Sequence, residues 1–260
     1  MPNYYTLGRG EVHFARFAPG TQTPMGFRYI GNTPEFSLNI ESETLDHYSS
    51  DGGIREKDDS VPLEVNRTGS TTTDNIDPAN VALFFFGSEA ALTQAAVASS
   101  TETLSAINAG YSYTLGVTTA NPTGYMGIDP TGFVVEVNGG GATLVAGTDY
   151  NMDFDTGILS FIEGSAVAVE GADIDVTFAV LGSTRSRVIS GSEPVEGAMR
   201  YVSKNPKGPD SVFYMPYVKV TPNGDYALKG DEWQTIPLAL EILKPTGQEA
   251  IYRDGNPAYS

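Results

Sequence analysis

Residues 32–76 read NTPEFSLNIESETLDHYSSDGGIREKDDSVPLEVNRTGSTTTDNI, and their pattern decides the fold. The stretch opens with strict alternation: Phe36, Leu38 and Ile40 on one side, Ser37, Asn39 and Glu41 on the other. It closes with a second alternation, in which Val61, Leu63 and Val65 oppose Glu64 and Asn66. A period of two residues is the mark of half-buried strands. The pattern therefore predicts two strands that bury Phe36, Leu38, Ile40, Val61, Leu63 and Val65. It leaves Ser37, Asn39, Glu41, Glu64 and Asn66 on the opposite face. Between the strands, residues 44–60 are polar and carry Asp46, His47, Asp51, Gly52, Gly53, Arg55, Glu56, Lys57 and Asp58. A structureless loop longer than ~12–15 residues is uncommon and is usually functional or disordered. Two strands holding out a long charged hairpin loop predict a part that reaches for a neighbour.

Working outward, the same β grammar recurs along the chain. Residues 11–17 alternate as a strand after the Gly8-Arg9-Gly10 turn. One helix is expected over about Asp77–Phe86, with Asp77 as N-cap, Pro78 at the first helical position and Gly87 at the end. Residues 90–109 fit helix or strand, and the β context favours strand. Further strands are expected at 111–118, 133–137, 150–154, 158–162, 174–181, 197–202, 211–221, 226–229 and 235–243. Turn-forming stretches such as Asp155-Thr156-Gly157 and Pro222-Asn223-Gly224-Asp225 separate them. The expected class is all-β: a two-sheet antiparallel sandwich or barrel with one flanking helix and a long protruding hairpin loop. No linker stands out. The expectation is one domain over 1–260, with 88–190 as a β-rich elaboration and 245–260 as a C-terminal arm.

The chemistry is mostly negative. The chain has no cysteine, which excludes a disulfide framework, a thiolate metal site and a cysteine nucleophile. Its two histidines, His13 and His47, lack any triad or zinc-ligand context. Asp149, Asn151, Asp153 and Asp155 superficially resemble a calcium loop, but Phe154 stands where the turn needs glycine. The simpler reading is a strand with Tyr150, Met152 and Phe154 inside and the polar residues outside. Asn66-Arg67-Thr68 is a formal glycosylation sequon in a chain whose first residues lack the layout of a secretory signal. No apolar run approaches the ~18 residues of a membrane span. No cofactor, metal or catalytic residue is expected. The net charge is −17, from 32 acidic and 15 basic side chains, which argues against a nucleic-acid binder.

Specific runs carry a resemblance. Glu35-Phe36-Ser37-Leu38, Glu41 to His47 and Gly53 to Asp58 resemble the major tail tube proteins of long-tailed, non-contractile bacteriophages. So do Phe213 to Val220 and Gly224 to Trp233, in the expected order. The resemblance implies a structural virion protein, made in the host cytoplasm and located in the tail. It implies that the chain assembles with itself into hexameric rings stacked as a tube. Tape-measure, tail-tip and tail-terminator proteins would be its other partners, and DNA would pass through without specific binding. On that reading Asp46, His47, Asp51, Gly52, Gly53, Arg55, Glu56, Lys57 and Asp58 form the inter-ring contact, and Ser37, Asn39, Glu41, Glu64 and Asn66 face the lumen. A second reading is a carbohydrate-binding or adhesin-like sandwich, with 14 tyrosines and one tryptophan as stacking platforms.

Overall fold

The computed structural model describes residues 5–255. In chain order come β1 (Gly10–Arg16), β2 (Arg28–Tyr29), β3 (Glu35–Ser49), β4 (Glu56–Thr73) and α1 (Pro78–Phe84). There follow β5 (Ser88–Gln94), β6 (Val97–Leu104), β7 (Ser112–Thr114), β8 (Ile128–Val137), β9 (Tyr150–Asp153), β10 (Ile158–Phe161), β11 (Ile174–Val180) and β12 (Ser183–Ile189). The chain closes with β13 (Val195–Ser203), β14 (Ser211–Pro222), β15 (Ile236–Ile242) and β16 (Tyr252–Gly255). The protein is all-β with one short helix, as the alternation predicts.

Two compact units divide the chain. One holds residues up to Ala90 and from Arg187 onward; the other is Ala91–Ser186. Each has its own apolar core, so the expected single domain is corrected to two units. The reason is visible in the sequence between 91 and 186. Ile174, Val176, Phe178 and Val180 alternate as the buried face of one strand, which needs a core beneath it. β5 and β12, which span the boundary residues, pair with each other.

The larger unit is one antiparallel sheet in the order β2-β1-β13-β14-β15-β4-β3, with β16 beside the start of β14. The sheet curls on itself. Phe36 on β3 stacks on Tyr201 of β13 with ring centroids 5.4 Å apart, though β14, β15 and β4 lie between their strands. Flat, those strands would be about 19 Å apart at the usual spacing. The curl encloses Val12, Phe14, Met199, Met215, Val218, Leu238 and Leu240. Helix α1 packs on β14 and β15 and buries Leu83. Asp77 caps it by accepting the Asn80 backbone N–H at 2.7 Å, and Asn80 donates inward to the Ile30 carbonyl at 2.7 Å. Two expectations fail here. Residues 226–229 form a loop, with Tyr226 turned onto Phe84 at 5.7 Å. The tail from 245 to 255 is no free arm: Ala250 is buried, Ile251 packs on the core and β16 joins the sheet, while 256–260 lie outside the described residues.

The smaller unit holds two three-stranded antiparallel sheets, β6-β11-β8 and β7-β10-β9. Ile128, Val135, Leu159, Phe161, Ile174, Val176 and Phe178 fill its core. On β9, Tyr150 is buried and Asn151 and Asp153 are exposed, so the calcium-like spacing is an ordinary half-buried strand. Asp149 is turned inward instead. Ser165 donates to its carboxylate at 2.6 Å and the Val145 N–H at 2.8 Å, which holds that carboxyl below its ordinary range.

Candidate assembly surfaces

β3 and β4 pair continuously from Glu35↔Thr72 to Ser49↔Glu56. β15 leaves β4 after Thr68, so from there to the tip the ladder is only two strands wide. The segment expected as a loop, 44–60, is therefore mostly strand, and only 50–55, with Asp51, Gly52 and Gly53, forms the turn. The ribbon past Ile40 extends for about 30 Å at 3.3 Å per residue. Its charges tie the two strands together. Lys57 bonds Asp46 at 2.5 Å, His47 bonds Asp58 at 2.5 Å, and the Arg55 guanidinium lies 5.4 Å over Tyr48. Lys57 chiefly, then Ser60, lowers the Asp46 carboxyl below its ordinary range.

The expected burial of Ile40, Val61, Leu63 and Val65 is overturned: they are 60%, 53%, 62% and 44% exposed. Only Phe36 and Leu38 reach the core. The alternation was real, but beyond Leu38 no layer covers the ribbon. A bulge changes the faces as well. Glu43 pairs with Glu64 and Thr44 with Pro62, leaving Leu63 as an extra residue on β4. Val65 opposes Ser42 while Val61 opposes Leu45, so the two valines fall on opposite faces.

Ser37, Asn39, Glu41, Glu64 and Asn66 do share one face. The pairs Ser37↔Ser70, Asn39↔Thr68, Glu41↔Asn66 and Glu43↔Glu64 place them there. The Ser37 and Ser70 hydroxyls are 2.8 Å apart. Asn39 donates to Glu41 at 2.9 Å, and Asn66 donates to Glu64 at 2.9 Å. Thr68 and Ser70 pair onward with Glu241 and Ala239 of β15, and Glu241 in turn with Lys219 of β14, so the cation nearest along this row lies two strands beyond β4. No lysine or arginine pairs with Glu41 or Glu64 among the described residues.

Sequence reasoning missed a third surface. Tyr29, His13, Arg200, Tyr214 and Tyr252 are successive cross-strand partners over β2, β1, β13, β14 and β16. Their neighbours Val12, Phe14, Met199 and Met215 are buried, so this row lies on the face away from the core. The Arg200 guanidinium lies 4.9 Å from the Phe27 ring and 5.8 Å from the Tyr214 ring. Tyr214 stacks on Tyr252 at 6.3 Å. Each residue read alone was an ordinary strand position; only the register joins them.

The described residues contain no group of three or more acidic or histidine side chains placed to hold a metal. A cavity of about 500 Å³ lies beside the seam of the curl, lined by Arg9, Asn32, Glu35, Phe36 and Tyr201. No helix among the described residues is long and apolar enough to cross a membrane. No curated protein matches the chain. A family model, described as Protein of unknown function UCP028589, matches residues 5–250, and the chain belongs to that family.

Proposed function

We propose that this chain is a structural subunit that assembles with copies of itself, as the major tail tube proteins it resembles do, into stacked rings around a DNA conduit. One observation carries the reading: the β3–β4 ribbon exposes Ile40, Leu45, Ile54, Val61 and Leu63 to solvent. A lone two-stranded ribbon is marginally stable in water. Exposed apolar side chains grouped on one projecting element mark an interaction site. β3 is also a sheet edge along all 15 of its residues, with no further strand beside it among the described residues. Such an edge invites pairing unless it is closed, covered or shared. A contact between two different surfaces of one chain makes a ring or a filament. The small polar face of Ser37, Asn39, Glu41, Glu64 and Asn66 suits a wall along which a polyanion slides, because it offers phosphates no cation.

Negative-stain microscopy and light scattering of the purified chain test the reading. Rings or tubes of uniform width are expected. A monomer that stays monomeric up to millimolar concentration overturns it, and glycan binding by that monomer would favour the carbohydrate-binding sandwich instead.

A further inference from the structure

We propose that the Tyr29–His13–Arg200–Tyr214–Tyr252 row is the docking platform for the β3–β4 ribbon tip of a second copy. The inference rests on the self-assembly reading and names the receptor that the ribbon requires. The row crosses five strands, about 19 Å at the strand spacing, which is wide enough to seat a two-stranded tip. Its rim is apolar and open: Met25 is 63% exposed, Tyr29 45%, Tyr252 38% and Phe27 37%.

Charge selects the occupant. In a chain with 32 acidic and 15 basic side chains, Arg200 has no carboxylate partner among the described residues. Its guanidinium lies against an edge-to-face pair of rings, Phe27 and Tyr214, whose centroids are 6.2 Å apart; aromatic contact of this kind leaves a guanidinium's N–H groups able to meet a carboxylate. The ribbon tip supplies the complement. Asp51, Glu56 and Asp59 have no basic partner there, and they flank Ile54 and Val61, which are exposed. Aromatic side chains and arginine are the residues in which interface energy concentrates. Tip and platform are different surfaces of the same unit, so docking one on the other is heterologous and propagates from copy to copy.

A mixing experiment tests this on full-length chains. One variant replaces Leu45 to Val61 with Asn-Gly at the Thr44↔Pro62 pair, which removes the tip and keeps the platform. The other is Arg200→Glu, which keeps the tip and reverses the platform. Each alone is expected to stay monomeric at concentrations about tenfold or more above those at which the wild type assembles. Mixed, they should form a one-to-one heterodimer by sedimentation, since one tip and one platform remain. In parallel, a benzophenone side chain at position 54 of the wild type should crosslink to residues 25–29, 200, 214 or 252 of another copy, a result that does not depend on either variant folding. Assembly by Arg200→Glu at the wild-type concentration, or crosslinks confined to other residues, overturns the platform while leaving self-assembly standing. A wild type that forms no oligomer at all overturns both.

Discussion

Phe36 and Tyr201 stack with their ring planes 13° apart, and this contact ties β3, the last strand of the large sheet, to β13. It marks where the β3 alternation changes meaning. Up to Leu38 the apolar side has the core beneath it; beyond Ile40 it has solvent. Replacing Phe36 with alanine should cost about 2–3 kcal/mol, the low end for a phenylalanine because the ring is partly exposed. Urea denaturation checks it. A loss below about 0.5 kcal/mol, the range of an ordinary surface substitution, would mean that the seam is held elsewhere.

Gly69 sits at the root of the ribbon because no side chain fits there. A Cβ at this position would lie 2.7 Å from the Ser37 carbonyl oxygen and 3.2 Å from a Leu38 methyl. The first contact is backbone, which cannot turn away. Gly69→Ala is expected to destabilise by about 1–3 kcal/mol. Thermal unfolding measures this, and an unchanged midpoint would show that β3 and β4 can separate at the root without cost.

Shortening the ribbon should divide assembly from folding. Replacing residues 44–63 with Asn-Gly joins the strands at the Glu43↔Glu64 pair and leaves Phe36, Leu38 and the core intact. Stability should change by no more than about 1 kcal/mol, because the removed side chains are largely exposed. Rings and tubes should be lost. Tubes of normal length from this variant would remove the ribbon from the assembly contact.

Tyr217 gives an alkaline signature. Burial first, then its hydrogen bond to Glu196 and the charge of that carboxylate, push the phenol up to about 12. Below the unfolded value of about 10, both states keep the proton and the stabilisation is complete. Between about 10 and about 12 the unfolded chain ionises while the folded one does not, so stability falls as pH rises. In Tyr217→Phe this slope should become shallower, the remainder coming from Tyr150 and Tyr201, whose phenols burial also pushes up. Urea midpoints across that window decide it, and identical slopes in the two proteins would show that the phenol is not held neutral.

DNA should be indifferent to the unmodified protein. No retardation of duplex DNA is expected at low salt, where attraction would be greatest. Glu41→Lys with Glu64→Lys should create retardation by assembled tubes, because the two side chains share one face on paired strands. Retardation by the wild type, or none by the double variant in intact tubes, would separate this face from the conduit.

Local signals carried much of the fold into the sequence. Alternation marked β1, β3 and part of β4, turn-bounded runs marked β10, β11, β13, β14 and β15, and Asp77 and Pro78 marked the helix. What stayed hidden depended on partners distant in sequence. The ribbon looked like a buried pair joined by a loop, because period two shows that a strand has two faces without showing whether anything covers either. The bulge at Leu63, which sends Val61 and Val65 to opposite faces, is a property of register and leaves no mark in the alternation. The grouping of Ser37, Asn39, Glu41, Glu64 and Asn66 was legible because it needed only one hairpin. The Arg200 row needed five strands, and β2 and β16 are too short to be read at all.

The pairing of β5 with β12 has an architectural consequence. Everything between them leaves and returns through neighbouring strands. An excursion with adjacent ends closes its own circuit, so residues can be gained or lost between 95 and 182 without shifting any hydrogen-bond partner in the larger sheet. That gives the chain a place to change its bulk while the strand register of the larger sheet is kept.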